Sequence, residues 1–563
     1  MNYQSKKLIN NPNDVVTEFI EGLVETYPGL QYLDGFPDVK VVLLADVSGG
    51  TYDKVAVISG GGSGHEPAHA GFVGEGMLTA AICGDIFASP PVDSILAGIR
   101  AVTGPSGCLL IVKNYTGDRL NFGLAAELAK SEGFKVEMVI VGDDCALPPP
   151  RGIAGRRGLA GTILVHKVAG AAAAAGLPLE EVAAEAKRAS EMVGTMGVAL
   201  SVCSIPGQVP SDRLGPGKME LGLGIHGEPG AAVTDIQPVD IVVSHVLKQI
   251  LSQETNYVPI TRGSRVVLMI NGLGATPLME LMIAAGKTVP RLQLEHGLAV
   301  ERVYTGSFMT SLDMAGFSIS VMKADETVLK RLDAPTKAPN WPVAADGDHP
   351  PAKIPIPIPP CRLKKNDECH FFIIDFCDGL YFDPVLNVTS VNLSCDLKKR
   401  YPLNDPVETV GEIGTSIRKG MGGTSGIIYD IFIKAAHANL KANSDSGITA
   451  LQWAGAFEAA LAAVSKYGGA KQGHRTLLDA LIPASSVLKE KLAAGVDPVE
   501  AFVLSAEAAV AGAESTKKMQ AQAGRSSYVS ANVLASVPDP GAMAAASWYK
   551  AAALAVKNAY EAS

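Results

Sequence analysis

The chain has 563 residues, of which 47% are hydrophobic and 19% charged, a composition typical of globular proteins rather than disordered ones. This length exceeds what one hydrophobic core usually serves, so two or three domains are expected. The formal net charge is −9, and the charges are spread along the chain, which argues against nucleic acid or an anionic membrane as the main partner.

The cysteines and the N-terminus indicate the compartment. None of the eight cysteines forms a Cys-x-x-Cys pair, and the spacing of Cys361, Cys369 and Cys377 fits no zinc pattern. Neither a zinc site nor a disulfide framework is therefore expected. The first residues lead to no apolar signal segment, and no apolar run is long enough to span a bilayer. We expect a cytoplasmic protein with no membrane partner.

Residues 1–333 alternate short apolar strands with alanine-rich helices, which predicts an α/β domain. The predicted strands are Val55–Ser59, Cys108–Val112, Val136–Val141 and Arg265–Ile270, and a helix is predicted over Leu179–Val193. Continuous apolar strands between helices indicate sheets covered on both faces. Ligands of such sheets bind at loops beyond the carboxyl ends of the strands, where the loops after Ser59 and Val112 lie.

A glycine-rich loop with a single histidine follows in the same domain, Leu221-Gly-Leu-Gly-Ile-His-Gly-Glu-Pro-Gly230. With so few side chains, its backbone can approach a ligand closely. The imidazole of His226 is a competent nucleophile toward a carbonyl carbon. Taken alone, the loop also fits an ordinary surface turn with an incidental histidine.

A proline-rich linker is predicted over residues 334–367, since nine of the 35 prolines fall between Pro335 and Pro360. Residues 396–563 then read as all-α. Asp497-Pro-Val-Glu500 carries the signature of a helix start, and apolar residues recur at helical spacing after it. Gly- and Ser-rich loops interrupt these helices, and helix N-termini with small residues bind phosphate. No Walker loop is present, so a P-loop NTPase is not expected.

Three motifs together resemble the ATP-dependent dihydroxyacetone (glycerone) kinases, the plant members most of all. They are Gly60-Gly-Gly-Ser-Gly-His-Glu-Pro67, Lys113-Asn-Tyr-Thr-Gly-Asp118 and Gly224-Ile-His-Gly-Glu-Pro-Gly230. The resemblance implies a substrate-binding K domain with two subdomains over 1–333 and an ATP-binding helical barrel, the L domain, over 396–563. It also implies ATP and Mg²⁺ as cofactors, a homodimer through the K domain, and a place in glycerol metabolism.

In that family the histidine matching His226 attacks the ketone and holds it as a covalent hemiaminal. The residues matching Asp118 and His65 contact substrate hydroxyls and move the proton, and Asp118 as general base makes chemical sense. A turn cap is the alternative for Asp118. The remaining substrate contacts are implied for Gly62, Ser63, Gly64 and Lys113. We expect His69, His166, His245 and His296 to be core or surface histidines.

The resemblance extends to nucleotide contacts in the helical domain. The implied ATP-binding residues are Thr424, Ser425, Gly468, Leu477, Arg525, Asp539, Pro540 and Gly541. His474 stands where family members often have aspartate, and Leu477 where methionine is common.

Residues 368–395 break the family pattern. The L domain normally opens with a helix and a Gly-Asp-Gly-Asp-x-Gly loop whose carboxylates hold two Mg²⁺ ions, but a Cys- and Phe-rich stretch stands there instead. Asp346 and Asp348 look like the acidic loop, yet prolines follow where a helix is needed. Asp375 and Asp378 are a poorer substitute. No metal ligands are therefore assigned, and we expect the atypical insert to impair a working L domain.

Three functions remain open. The first is ATP-dependent phosphorylation of dihydroxyacetone or a related short ketose or triose. The second is a catalytically impaired carbonyl-binding or regulatory protein with a working His226. The third is FAD-AMP lyase activity, which forms cyclic FMN at the same L site.

Overall fold

A computed structural model of the chain describes residues 7–47, 51–147, 155–342, 401–420, 423–443, 447–523 and 534–562. The chain divides into two compact units, residues 1–356 and 357–563. The expectation of an α/β unit followed by an all-α unit is confirmed. No helix among these residues is long and apolar enough to cross a membrane.

A six-stranded sheet forms the first half of the N-terminal unit, with strand order β1-β2-β4-β3-β5-β6. Strands β3 to β6 run parallel, while β1 and β2 add antiparallel at one edge. The strands are β1 (Leu30–Tyr32), β2 (Val41–Leu44), β3 (Ala56–Ser63), β4 (Ala80–Ile86), β5 (Cys108–Lys113) and β6 (Val136–Val141). The accompanying helices are α1 (Val15–Thr26), α2 (Val92–Val102), α3 (Thr116–Ser131), α4 (Gly161–Ala174) and α5 (Leu179–Glu191).

A second six-stranded sheet follows, with strand order β11-β10-β12-β7-β8-β9 and only the β10–β11 pair parallel. Its strands are β7 (Val193–Ala199), β8 (Lys218–Leu221), β9 (Ala232–Asp235), β10 (Arg265–Gly272), β11 (Ala299–Gly306) and β12 (Gly316–Lys323). Its helices are α6 (Val239–Ile250), α7 (Leu278–Pro290) and α8 (Glu326–Asp333). The helix expected over Leu179–Val193 ends at Glu191, and Val193 already begins β7.

Helix α4 joins the two halves of this unit. Residues Gly161 to Ala173 are all buried, because the helix packs against β3 and β5 of the first sheet and against β7 and β12 of the second. A helix that is apolar on every side needs such a two-sided cover. The central core accordingly mixes side chains of both sheets, such as Val57, Leu109 and Val267.

The C-terminal unit is built from α9 (Pro406–Gly420), α10 (Gly423–Asn443), α11 (Ala450–Gly468), α12 (Leu477–Ala493), α13 (Pro498–Ser515) and α14 (Pro540–Ala562). Its core is rich in alanine, which lets the helices approach closely. The predicted start of α13 is confirmed, since the Asp497 carboxylate accepts hydrogen bonds from the backbone of Val499 and Glu500. The fully buried side of α13 is its alanine face, while Phe502 and Val503 are only half-buried.

Several expectations fall outside the described residues. They concern most of the linker, the insert over 368–395, the four aspartates weighed as metal ligands, Arg525 and the side chain of Thr424.

Candidate functional site

The two histidines singled out in the sequence meet between the sheets of the N-terminal unit. His65 follows β3 of the first sheet, and His226 lies in the loop between β8 and β9 of the second. Their Nε2 atoms are 3.1 Å apart although 161 residues separate them in the chain. His65 is fully buried, whereas the His226 side chain keeps 20% of its surface exposed. A small ligand can therefore reach His226.

Hydrogen bonds fix which nitrogens of this pair carry protons. His65 Nδ1 lies 2.8 Å from the carbonyl oxygen of Thr310, which can only accept, so Nδ1 bears the hydrogen. Burial, with the neighbouring Lys113 charge, holds the pKa of His65 well below its usual value, so the ring is neutral. The lone pair of His65 Nε2 then faces His226 and can accept its proton.

Glu228 forms hydrogen bonds with His226 on the side opposite His65. Its carboxylate accepts from His226 Nδ1 at 2.7 Å and from the His226 backbone N–H at 2.9 Å. Burial alone would raise the pKa of Glu228, but its hydrogen bonds to His226 lower it to about 2, so the group is ionised. A carboxylate on Nδ1 leaves the reactive Nε2 of His226 aimed at His65 and orients the ring, as in catalytic triads.

Aromatic rings and two arginines hold the His226 loop in place. The imidazole packs edge-on against Phe87 and Tyr115, with ring centroids 5.1 and 4.7 Å away. Arg157 donates to the carbonyl of Gly222 at 2.7 Å and pairs with Asp144 at 2.6 Å, and Arg213 donates to the carbonyl of Gly227 at 3.1 Å. A loop with few side chains of its own is thus pinned through its carbonyl groups.

The other residues that were expected to contact substrate lie at the carboxyl ends of β3 and β5. A Cβ atom built on Gly61 would lie 3.4 Å from Asp118 Oδ2 and 3.5 Å from Lys113 Nζ, so these two side chains flank the glycine loop. Asp118 lies in the first turn of α3, and its carboxylate accepts from the hydroxyl of Ser89. The residue that precedes α3 is Tyr115, whose side chain forms no cap hydrogen bond, and the turn-cap alternative for Asp118 stays open.

Lys113 is fully buried, and its Nζ atom has no hydrogen-bond partner among the described residues. Burial lowers the pKa of this ammonium, while Asp118 and Glu228 act in the opposite direction. A buried cation with unused N–H groups beside a reactive histidine is suited to bind a polar substrate group.

The glycine loop after β3 offers backbone rather than side chains. Gly64 has φ = +101°, and a Cβ atom there would lie 2.7 Å from the Phe87 ring, so only glycine fits. A Cβ on Gly62 would lie 2.7 Å from the backbone N of Ala88. The Ser63 hydroxyl is buried and donates to the carbonyl of Gly84 at 2.7 Å. The Ser63 hydroxyl hydrogen is therefore not available to a ligand.

In the helical unit, the residues expected to bind nucleotide lie at one end of the bundle. Gly468 ends α11 and Leu477 begins α12, with one short loop between them. Ser425 lies at the start of α10, which runs antiparallel to α11 because a short connection joins the two packed helices. Asp539 immediately precedes α14, and its backbone N–H donates to the hydroxyl of Thr516, the residue that follows α13. Three helix N-termini therefore point the same way, an arrangement that suits phosphate groups.

A buried arginine stiffens this end of the bundle. Arg475 is 1% exposed and donates to the carbonyls of Thr516 and Val537, and its guanidinium lies 3.7 Å from the Asp539 carboxylate. Asp539 in turn accepts from the backbone N–H of Ala542 and so caps α14. Pro540 and Gly541 are the first residues of that helix. Asp539 is thus engaged within the protein, which leaves the backbone beside it for a ligand.

A metal site was not assigned from the sequence. Among the residues that the structure describes, no group of three or more His, Cys, Asp or Glu side chains is placed to hold a metal ion.

Sequence reasoning missed four contributors to the N-terminal site. Glu228 lies in the quoted loop, two residues after His226, but received no role. Phe87, Ser89 and Arg157 carry no local pattern that marks them, since each reaches the site from a different segment. Only the His-x-Glu spacing could have signalled a histidine held by a carboxylate.

Comparison with known families covers both units. A Dak1 domain matches residues 21–340, and a DAK2 domain matches residues 386–554. A Solanum lycopersicum protein provisionally named 3,4-dihydroxy-2-butanone kinase is 75% identical over all of both chains. The triokinase/FMN cyclase of Rattus norvegicus is 41% identical over 97% of this chain and 98% of its own.

Two solved structures add to this comparison. The dihydroxyacetone kinase from C. freundii, in complex with AMP-PNP and Mg²⁺, is 36% identical and superposes with a TM-score of 0.70 over 98% of this chain and 100% of its own. A dihydroxyacetone kinase operon co-activator is 37% identical with a TM-score of 0.54, and it covers 57% of this chain and 97% of its own.

The alignment with the tomato protein also reveals a gap. It runs over 591 positions, whereas this chain has 563 residues, a difference of 28 at full coverage of both proteins. The relative therefore has residues with no counterpart in this chain.

Proposed function

The chain belongs to the dihydroxyacetone kinase family, and from this premise we propose that it phosphorylates dihydroxyacetone, or a related short ketose or triose, at the expense of ATP. The observation that carries the proposal is the pairing of His226 with a neutral His65 on one nitrogen and an ionised Glu228 on the other. Such a pair suits attack on a carbonyl carbon. The substrate is assigned to residues 1–333 and the nucleotide to residues 396–563.

The first proposed step attaches the ketone to His226. His226 donates from Nδ1 to Glu228 and from Nε2 to His65, so both of its nitrogens carry a hydrogen at the start. His65 Nε2 takes the proton from His226 Nε2, and the freed lone pair forms a bond to the carbonyl carbon. The carbonyl π electrons move onto its oxygen, which receives that proton back from His65. Glu228 stays ionised and offsets the positive charge of the ring, which is present before the proton leaves and again in the adduct. The product is a hemiaminal, with no atom gained or lost beyond the substrate itself.

The second proposed step removes a proton from a substrate hydroxyl. Asp118, beside Lys113 and the glycine loop, would accept it while the hydroxyl oxygen forms a bond to the γ-phosphorus of ATP, whose bond to the ADP oxygen breaks so that ADP leaves. The Lys113 ammonium and the backbone of Gly62, Ser63 and Gly64 hold the substrate's other polar groups. ATP supplies the phosphoryl group and binds the end of the helical unit where α10, α12 and α14 begin; Thr424 and Arg525 complete its proposed contacts.

We further propose that this chain is a poor catalyst as it stands. Phosphoryl transfer needs cations to offset charge on the phosphates, and the sequence offers no acidic loop at the start of its helical domain. Cytoplasmic location and a homodimer through the N-terminal unit remain predictions.

A second candidate is a carbonyl-binding regulatory protein. It is favoured by the likeness of the first unit to an operon co-activator that lacks a counterpart for nearly half of this chain. The K-type fold can thus serve in a protein that is named for regulation. A third candidate, release of cyclic FMN from FAD, is supported by the name of the rat relative; it would use the same end of the helical unit.

One experiment separates the first two candidates. The purified chain is incubated with dihydroxyacetone and trapped by rapid quenching, and ATP consumption is followed in parallel. A His226 adduct with ATP turnover supports the kinase, and an adduct without turnover supports the regulatory protein. Absence of any adduct on His226 rules out the proposed chemistry for both.

A further inference from the structure

A second group of buried polar side chains lies behind the substrate residues, and the chemistry above leaves it unused. Ser59, His69 and His166 are each at most 5% exposed. Ser59 is on β3 and His166 on α4, so the group sits between the first sheet and the central helix. The rings of the two histidines are 5.2 Å apart. Polar groups so deep in a core need partners.

Ser59 decides how both imidazoles are oriented. Its hydroxyl donates its only hydrogen to the carbonyl oxygen of Ile111 at 2.7 Å. The oxygen must therefore accept from the rings, from His166 Nε2 at 3.0 Å and from His69 Nδ1 at 3.4 Å. Burial lowers the pKa of His69 far below its usual value and that of His166 to about 3, so both rings are neutral. A neutral ring that donates through one nitrogen has a lone pair on the other.

Those lone pairs are on His69 Nε2 and His166 Nδ1, and both atoms are buried without a hydrogen-bond partner among the described residues. Lys113 Nζ is also buried without a hydrogen-bond partner among the described residues, but it is a donor rather than an acceptor. Two unused acceptors and one unused triple donor are therefore present in the same core.

The sheet register brings these groups to the same side. Ser59 pairs with Ile111, whose side chain belongs to the core beneath α4. Lys113 is two residues further along β5 and so points to that same face. Its positive charge also lowers the pKa of His65, His69 and His166, which shows that all three rings lie within its field. The carboxylates that act on Lys113 from other elements are Asp118, Glu228, Glu66 and Asp143.

We propose that His69 and His166 are positioning residues whose free nitrogens accept hydrogen bonds from the Lys113 ammonium through one or two buried water molecules. Water suits this place because buried waters typically make about three hydrogen bonds to otherwise unpaired polar groups. The arrangement holds Lys113 charged and pointed at the substrate. The inference rests on the proposed function in one respect, namely that Lys113 contacts the substrate.

Removing an acceptor should change the pH range in which the protein binds its substrate. With fewer hydrogen bonds, the buried ammonium of Lys113 is less stable relative to the neutral amine, so Lys113 loses its proton at a lower pH. As the pH is raised, the affinity for dihydroxyacetone then begins to fall at a lower pH than in the unmodified chain. A residue that only filled space would alter stability without moving this decline.

The test measures dihydroxyacetone binding to the full chain by calorimetry from neutral to alkaline pH. His166→Leu and His69→Leu should each move the alkaline decline about one pH unit lower, the size expected for one hydrogen bond to a charged group. His166→Gln keeps a donor for Ser59 and an acceptor for water, so it should restore most of the shift. His245→Leu, at an exposed position in α6, is the matched control and should change nothing.

The outcomes separate the inference from the proposed function. Lack of dihydroxyacetone binding by the unmodified chain would refute the function. Normal binding with an unmoved alkaline decline in both Leu variants would refute the inference alone, even if their melting temperatures fell. Should the variants not fold, a crystal structure of the unmodified chain at a resolution that reveals ordered water provides the test instead. We expect water bonded to Lys113 and to at least one imidazole, and a dry core or a Lys113 turned away would overturn the proposal.

Discussion

At the scale of single residues, His226 is the group on which the proposed chemistry depends, because its ring is held by Glu228 and faces an acceptor on His65. Intact-mass measurement after trapping should show one dihydroxyacetone per chain, lost in His226→Asn. The exposed His245→Asn serves as control and should keep the adduct. Substrate bound with His226 unmodified would contradict the assignment.

Asp118 should separate binding from catalysis. Asp118→Asn keeps the shape and the hydrogen bond from Ser89 but removes the base, so phosphorylation should fall by about 100-fold or more while dihydroxyacetone binding persists. The measurement needs a version of the chain that carries the family's acidic loop, so that turnover is large enough to follow. An unchanged kcat in that background would show that another group takes the proton.

Glu228 should affect the speed of adduct formation. Glu228→Gln still accepts from His226 Nδ1 but loses its charge, and a hydrogen bond to a charged group is worth enough to slow attachment by roughly 10- to 100-fold. Rapid-quench trapping gives the rate of adduct formation. The control variant is Glu220→Gln, because the Glu220 carboxylate pairs with Arg213 and accepts from the backbone N–H of Gly230. It tests whether the loss of any carboxylate that anchors the loop has the same effect. Equal slowing in both variants would mean that loop anchoring, rather than the ring, is what Glu228 provides.

At the scale of elements, the cap of α13 can be tested separately from the chemistry. Asp497→Ala removes two hydrogen bonds to the first turn and should cost about 1 kcal/mol of stability in the helical unit, whereas Asp497→Asn should cost little. Hydrogen exchange of peptides from α13 reports this directly. Faster exchange in the Asn variant than in the Ala variant would contradict the capping role.

Elements with a local cause were predictable from the sequence. Strands such as β6 and the Asp497 cap depend on patterns within a few residues, and both were found where predicted. The end of α5 was placed too late, because Val193 continues the helical spacing of the apolar residues Val182, Ala186 and Ala189 and only pairing with β12 makes it a strand residue. The antiparallel order of the second sheet was equally hidden, since an apolar run does not reveal its partner's direction.

The site was predictable to the extent that motifs mark it. His65, Lys113, Asp118 and His226 come from three loops, and the fold gathers them as the resemblance implied. Ser89 and Arg157 could not be predicted, because their roles depend on contacts 29 and 65 residues away in the chain. His69 and His166 were expected to be core or surface histidines, and their hydrogen bonds to Ser59 depend on how α4 and the segment after β3 pack against the first sheet.

At the scale of the whole molecule, three buried neutral histidines make the N-terminal unit sensitive to acid. Burial lowers the pKa of His65, His69 and His166 in the folded state. Below about pH 6.5 these histidines therefore bind protons in the unfolded chain but stay neutral in the folded chain. Stability is therefore fully present above that pH and is lost as the pH falls through it. Each histidine can contribute up to about 1.4 kcal/mol per pH unit.

Urea unfolding between about pH 7 and about pH 5 checks this expectation, since the unfolded-state titration of histidine lies in that range. The midpoint should fall steadily, and His166→Gln, which cannot titrate, should flatten the slope by roughly a third. A slope that is the same in the variant would show that carboxylates, rather than histidines, cause the acid sensitivity.

The insert over 368–395 can be tested on the complete chain. We expect the chain as it stands to bind dihydroxyacetone normally but to turn over Mg²⁺-ATP far more slowly than a version carrying the family's helix and acidic loop, because phosphoryl transfer relies on bound cations. Comparable turnover by the two would place the metal ligands elsewhere, and Asp346 and Asp348 would be the first to examine.

The contact between His65 and His226 has a consequence for how the protein is made. The Thr310 carbonyl that fixes the proton of His65 lies 245 residues further along the chain, and His226 lies 161 residues further. During synthesis, the loop that carries His65 therefore leaves the ribosome long before His226 and Thr310 do. Domains fold as units once enough of the chain has emerged. A nascent chain carries no oriented imidazole pair, so the proposed capture of a carbonyl sugar becomes possible only when the first unit is nearly complete.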